Sequence, residues 1–196
     1  MLWTGGKAEM TEFLFLRHGK TAGNLTGNYV GCRTDQPLCP QGVAELEALP
    51  RCTADRLYVS PMLRCRQTAA ILFPGLEPVV VEDFRECDFG AFENRNFHDL
   101  EHDKAYRAWV EGNCAGPIPG GEHPDQFMAR CRAAFAPLLE RPAEGVTALV
   151  VHGGTIMAIL SGFAKPERPY FSYQVKNGRG YRCTLEGGFL TDVKML

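Results

Sequence analysis

Five side chains in this 196-residue sequence carry most of its chemical potential: Arg17, His18, Arg64, Glu86 and His152. Two guanidinium groups and two imidazoles supply enough donors to enclose a tetrahedral oxyanion, and arginine binds such anions bidentately. Backbone amides at the start of the helix from Thr155 would strengthen that field. A neutral imidazole is also a nucleophile suited to accepting a phosphoryl group. A carboxylic acid beside it would protonate a departing alcohol. The competing use of two histidines and a glutamate is as a metal triad, but two arginines alongside would repel a cation. The expected site therefore holds no metal and needs no cofactor.

These residues act together only if the chain gathers them. Residues 13–21, FLFLRHGKT, read as a short buried strand ending at Arg17, His18 and Gly19. Residues 146–151, VTALVV, read the same way and end at His152, Gly153 and Gly154. Shorter strands are predicted over 56–59, leading into Ser60 and Pro61, and over 78–81. Edge strands are predicted over 175–184 and 188–193. Helices are predicted over 40–49, 62–73, 98–110, 124–139 and 155–163, with Ala105 and Trp109 sharing one face of the third. Residues 20–40 are expected to form a long loop. Apolar strands alternating with helices imply a three-layer α/β/α sandwich with a mainly parallel central sheet. Neighbouring parallel strands end on one sheet edge, where open α/β folds bind ligands, so His18 and His152 are expected to meet there. The expected organisation is a single domain over 1–196. Around 92–123 it carries a lid-like helical insertion, broken by the glycine-rich stretch 112–121.

Composition narrows the partners. Apolar residues make up 45%, charged residues 22%, and the net charge is -2, with no basic run for a nucleic acid. No apolar stretch reaches membrane-span length, and the N-terminus lacks the basic and apolar regions of a secretory signal. Leu2 and Trp3 fall in what reads as a loose lead-in. Eight cysteines without a Cys-x-x-Cys pair read as reduced thiols of a cytoplasmic protein rather than a zinc or disulfide framework. A homodimer stays open.

Four blocks, in order, carry a family resemblance. LRHGKTAGN at 16–24 resembles the Arg-His-Gly-x-Thr-x-x-Asn signature of the histidine phosphatase superfamily, with its phosphoglycerate mutase-like fold. VSPMLRCRQT at 59–68 resembles its Ser-Pro block, FRECDFGAFE at 84–93 its acid-bearing loop, and VVHGGTI at 150–156 its closing His-Gly block. The resemblance implies that His18 is the nucleophile that becomes phosphohistidine. It implies that Arg17, Arg64, Asn24, His152 and Gly153 hold the phosphoryl group, and that Glu86 is acid and then base. It also implies a small phosphorylated metabolite as partner.

Lys20 stands where many members carry Glu or Gln, which adds positive charge at the expected pocket mouth. Asn94 stands where Gly is common. Tyr29, Gly31, 35–38, 106–109 and 119–122 are similar to the alpha-ribazole phosphatase branch of cobalamin synthesis. Lys20, Tyr29, Trp109 and Glu122 are accordingly expected at the substrate rim. Three other readings stay open: a broad-specificity sugar or small-metabolite phosphatase, a phosphoglycerate mutase, and a phospho-ligand binding module without turnover.

Overall fold

The computed structural model describes residues 10–196, so the lead-in with Leu2 and Trp3 lies outside the described residues. In chain order the elements begin with β1 (Thr11–Arg17), α1 (Ala22–Leu25), α2 (Pro40–Glu47), β2 (Arg56–Val59), α3 (Leu63–Leu72) and β3 (Val79–Val80). Then come α4 (Phe97–Leu100), α5 (Lys104–Glu111), α6 (Pro124–Glu140), β4 (Gly145–Val151), α7 (Gly153–Phe163), β5 (Gly180–Glu186) and β6 (Phe189–Met195). The strands form one sheet in the order β3-β2-β4-β1-β5-β6. The first four are mutually parallel, and β5 and β6 add an antiparallel edge.

Strand alternation explains the layers. Successive side chains point to opposite faces of a strand. Phe13 and Phe15 therefore join the apolar cluster that includes Phe135 of α6 and Ile156 of α7, while Leu14 and Leu16 join Leu46 of α2 and Leu72 of α3. In β4, Leu149 and Val151 belong to the first cluster and Ala148 and Val150 to the second. Burial on both faces is what made these strands read as unbroken apolar runs.

Several expectations need correction. The loop over 20–40 contains a helical turn, α1, because Thr21 and Asn24 form a reciprocal capping box. The helix predicted over 98–110 is two helices, since the Asp103 carboxylate accepts from the amides of Ala105 and Tyr106 and starts α5 afresh. Tyr106 and Trp109 form its buried face, and Ala105 is exposed. The strand predicted over 78–81 shrinks to two exposed valines at the sheet edge. The edge strand predicted from 175 begins at Gly180, because a single 3-10 turn occupies Tyr170–Tyr173 and a bend at Gly178 (φ +70°) follows. The last helix starts two residues early, directly after His152.

Candidate active site

The two buried strands deliver their histidines side by side. Arg17 pairs with Val151 in register, and the His18 amide donates to the Val151 carbonyl at 3.0 Å. The two imidazole rings sit 5.2 Å apart, inclined at 66°. His18 Nδ1 lies 2.7 Å from the Gly19 carbonyl oxygen. A carbonyl only accepts, so the ring proton sits on Nδ1 and Nε2 keeps its lone pair. Burial, then the charges of Arg64 and Arg17, holds the His18 pKa well below the usual 6.5. The result is a neutral imidazole with one nucleophilic nitrogen.

His152 is fully buried at the end of β4. Its Nε2 is 2.7 Å from the hydroxyl of Ser60, which follows β2 on the same sheet edge. The Met62 amide donates to that hydroxyl oxygen at 3.4 Å. With the hydroxyl as donor, Nε2 accepts and Nδ1 carries the proton, which leaves an N–H to donate. The Cys65 thiol packs 3.6 Å from Nε2, and burial pushes its pKa up to about 12, so it stays neutral. Burial, Arg64 and His18 hold the His152 pKa well below 6.5 as well.

This has a consequence for stability. Both histidines have depressed pKa values in the folded state, so the unfolded chain binds more protons below its own pKa near 6.5. Their contribution is fully present above that pH and is lost as pH falls toward the folded values. Each histidine steepens the loss by up to about 1.4 kcal/mol per pH unit. Denaturant titrations from pH 8 to pH 5 are expected to show the stability of the wild type falling relative to His18→Ala once pH drops below 6.5. A constant difference would contradict the buried neutral imidazole.

The arginines sit in a shell of carbonyls. Arg64 is fully buried and donates to the carbonyls of Thr34, Val30 and Gly31 at 3.0–3.3 Å. The loop carrying those carbonyls is itself tied down by Glu93, which accepts from the amides of Gly31 and Thr34, each at 3.0 Å. Arg17 donates to the Val175 carbonyl at 2.8 Å and packs over Gly153. Neither guanidinium forms an ion pair with a described carboxylate, and the Nε atom of each is buried without a partner. A buried charge left in this state is costly, and an oxyanion between the two would relieve it.

Glu86 completes the cluster at 9% exposure. Its carboxylate accepts from the amides of Cys87 (3.0 Å) and Gly154 (3.3 Å), the second being at the opening of α7. Burial raises its pKa, while the Cys87 amide, Arg64 and Arg17 oppose the rise. A carboxyl tuned upward in this way can give a proton and take it back. Glycine beside it leaves the carboxylate in place: a Cβ on Gly154 would sit 2.4 Å from Glu86 Oε1 and displace it.

The model of the histidine phosphatase superfamily (branch 1) matches residues 13–191. The chain belongs to this superfamily. It is 31% identical over 160 residues to the "Probable phosphoglycerate mutase GpmB" of Klebsiella pneumoniae (strain 342), covering 78% of this chain and 74% of the relative. A solved phosphoserine phosphatase from Entamoeba histolytica, in complex with 3-phosphoglyceric acid, superposes with a TM-score of 0.80 at 25% identity, over 94% of this chain and 97% of that one. The alpha-ribazole phosphatase of Shigella flexneri gives 0.81 at 23% identity, over 94% and 95%, and shares the fold.

Beside the histidine phosphatase centre lies a cavity of about 510 Å³. Arg17, Glu86, Gly153 and Gly154 line its base, and Tyr29, Trp109, Phe127 and Tyr170 line its walls. Tyr29 and Trp109 both line this cavity. Lys20 and Glu122 do not. Lys20 is drawn to Glu45 at 2.7 Å, and Glu122 is held by Arg130 through contacts of 2.9 and 2.7 Å. Asn24 turns its side-chain oxygen to the Thr21 amide (3.1 Å) and to Asn177 Nδ2 (3.2 Å), so that oxygen braces the loop after His18.

Two further residues of the site carried no role in the sequence reading. Ser60 was marked only as part of the Ser-Pro block, although its place after a strand on the same edge was a usable signal. Tyr170 reaches the cavity from the segment before β5, its hydroxyl 3.4 Å from the Gly154 carbonyl, and no local pattern announces it. Among the described residues no helix is long and apolar enough to cross a membrane, and all eight cysteines are free thiols.

Proposed function

We propose that this chain hydrolyses phosphomonoesters through a phosphohistidine on His18, without a metal, and that alpha-ribazole 5'-phosphate is its substrate. His18 Nε2 attacks phosphorus as the ester P–O bond breaks, and the Glu86 carboxyl gives its proton to the departing alcohol oxygen. Arg17, Arg64, the Nδ1–H of His152 and the Gly153 amide hold the three remaining oxygens as their charge grows. Water then attacks phosphorus, Glu86 takes its proton, and the P–N bond breaks to return neutral His18 and phosphate. Residues 92–123 form the lid over this cavity, with Asn24 bracing the loop beneath it.

The single observation that carries hydrolysis of a neutral alcohol's ester is the charge of the cavity lining. Arg17 is its one cation, Glu86 and Asp125 its two acids, and the rest is largely aromatic and aliphatic. A phosphoglycerate or phosphoserine would bring its own carboxylate into that space without a partner, which costs several kcal/mol. A benzimidazole-bearing ribose fits the aromatic walls.

The test is phosphate release, after chelation, from alpha-ribazole 5'-phosphate, 3-phosphoglycerate, sugar phosphates and 4-nitrophenyl phosphate, with the phosphoenzyme trapped in parallel. The ribazole ester is expected to exceed 3-phosphoglycerate in kcat/KM by on the order of 100-fold, about 2.7 kcal/mol. The trapped label should be acid-labile and base-stable. Comparable release from 3-phosphoglycerate would favour a broad-specificity phosphatase, and interconversion of phosphoglycerates the mutase reading. Phosphate binding without release or label would leave a binding module.

A further inference from the structure

Among the described residues three buried side-chain polar atoms lack a hydrogen-bond partner: Arg17 Nε, Arg64 Nε and Trp109 Nε1. Unsatisfied buried donors are rare in folded proteins, and each calls for a reason. Two of these belong to the guanidinium pair that frames the oxyanion position. The third belongs to the cavity wall that the alcohol half of a substrate would face. All three are therefore concentrated around one site.

Trp109 is 7% exposed on the buried face of α5. Its ring packs among Tyr29, Phe92 and Tyr106, with centroids 5.5–6.1 Å away. The hydroxyls of Tyr29 and Tyr106 hydrogen-bond each other at 2.9 Å, and neither accepts from the indole. The Trp109 backbone is fixed as firmly. Its carbonyl accepts from the Cys114 amide at 2.9 Å and that of Val110 from the Asn113 amide at 3.0 Å, the paired bonds that close a helix through a left-handed residue. Asn113 takes that conformation at φ 54°. The same closure places Asn113 and Cys114 in the cavity lining. Packing alone does not call for the N–H, which phenylalanine would not strand.

We infer that the Trp109 indole N–H is the recognition donor for the alcohol half of the substrate. The group it reads is flat, aromatic and uncharged, and carries a hydrogen-bond acceptor such as a ring nitrogen or carbonyl oxygen remote from the phosphoryl group. The nitrogen is closed to solvent in this structure, so recognition requires the ring to turn toward the cavity that Trp109 lines. The nearby Phe89, Ile118, Phe127, Met128 and Met157 give an aromatic ring apolar surface to pack against. This rests on the phosphatase reading above and specifies what that phosphatase selects.

The test compares 4-methylumbelliferyl phosphate, whose bicyclic ring carries a remote carbonyl, with 2-naphthyl phosphate, which lacks one. Both are assayed with the wild type, with Trp109→Phe, and with benzothienylalanine at position 109, which keeps the indole's shape without its N–H. Leaving-group acidity is the same for every variant, so it cancels in the ratio of ratios. Lost packing lowers kcat/KM on both probes by a common factor. Loss of the N–H is expected to lower the methylumbelliferyl value about tenfold further, mainly through KM, as one hydrogen bond would. Equal losses on both probes, or none on either, overturn the inference while leaving the phosphatase reading standing. Wild-type protein that releases phosphate from neither probe overturns both.

Discussion

His18→Ala is expected to abolish phosphate release and the phosphoenzyme together, with kcat falling by about 10⁴-fold or more. The magnitude follows from what the residue supplies. Its Nε2 is the one nitrogen of the site with a lone pair fixed by geometry, because Nδ1 is committed to the Gly19 carbonyl at 2.7 Å. His152 cannot substitute, since its Nε2 is engaged by the Ser60 hydroxyl at 2.7 Å. Arg17, Arg64 and the α7 amides remain in the variant, so inorganic phosphate should still bind. Loss of turnover with retained phosphate affinity and an unchanged circular dichroism spectrum is the expected pattern. A folded variant that still turns over would remove His18 from the nucleophile's role.

Gly154→Ala is expected to act on chemistry through Glu86. The added Cβ would stand 2.4 Å from Glu86 Oε1 and 3.0 Å from the Phe127 ring. The carboxylate is the end of a flexible side chain, so it yields before the backbone does, and it gives up the Gly154 amide at 3.3 Å. A displaced acid slows esters that need their leaving oxygen protonated. The expected loss is on the order of 10²- to 10⁴-fold for an alkyl phosphate and far smaller for 4-nitrophenyl phosphate, whose phenolate departs unaided. Glu86→Gln should show the same dependence on leaving group. Adding Gly154→Ala to it should then cost little, because two changes that remove one function do not add. Equal losses on both esters, or additive losses in the double variant, would show that Gly154 matters for something other than the acid.

The sequence by itself determined the sheet and the meeting of the histidines. Phe13 to Leu16 and residues 148–151 are apolar without interruption, which only a strand covered on both faces tolerates. Parallel strands ending in His-Gly then leave their histidines on one edge. Local chemistry was legible for the same reason: a strand's burial pattern and a helix's apolar stripe are written within about ten residues. What lay beyond that range was decided by tertiary structure. Lys20 reads as a charge at the pocket mouth until Glu45, 25 residues on, takes it. Glu122 reads as a substrate contact until α6 presents Arg130. Tyr170 and Ser60 enter the site from segments far from either histidine. The unpaired indole of Trp109 is an absence of partners, and no sequence window contains it. Periodicity is a property of neighbours along the chain. The partners of a long polar side chain depend on which distant elements fold against it, and here they decided which charges face the substrate.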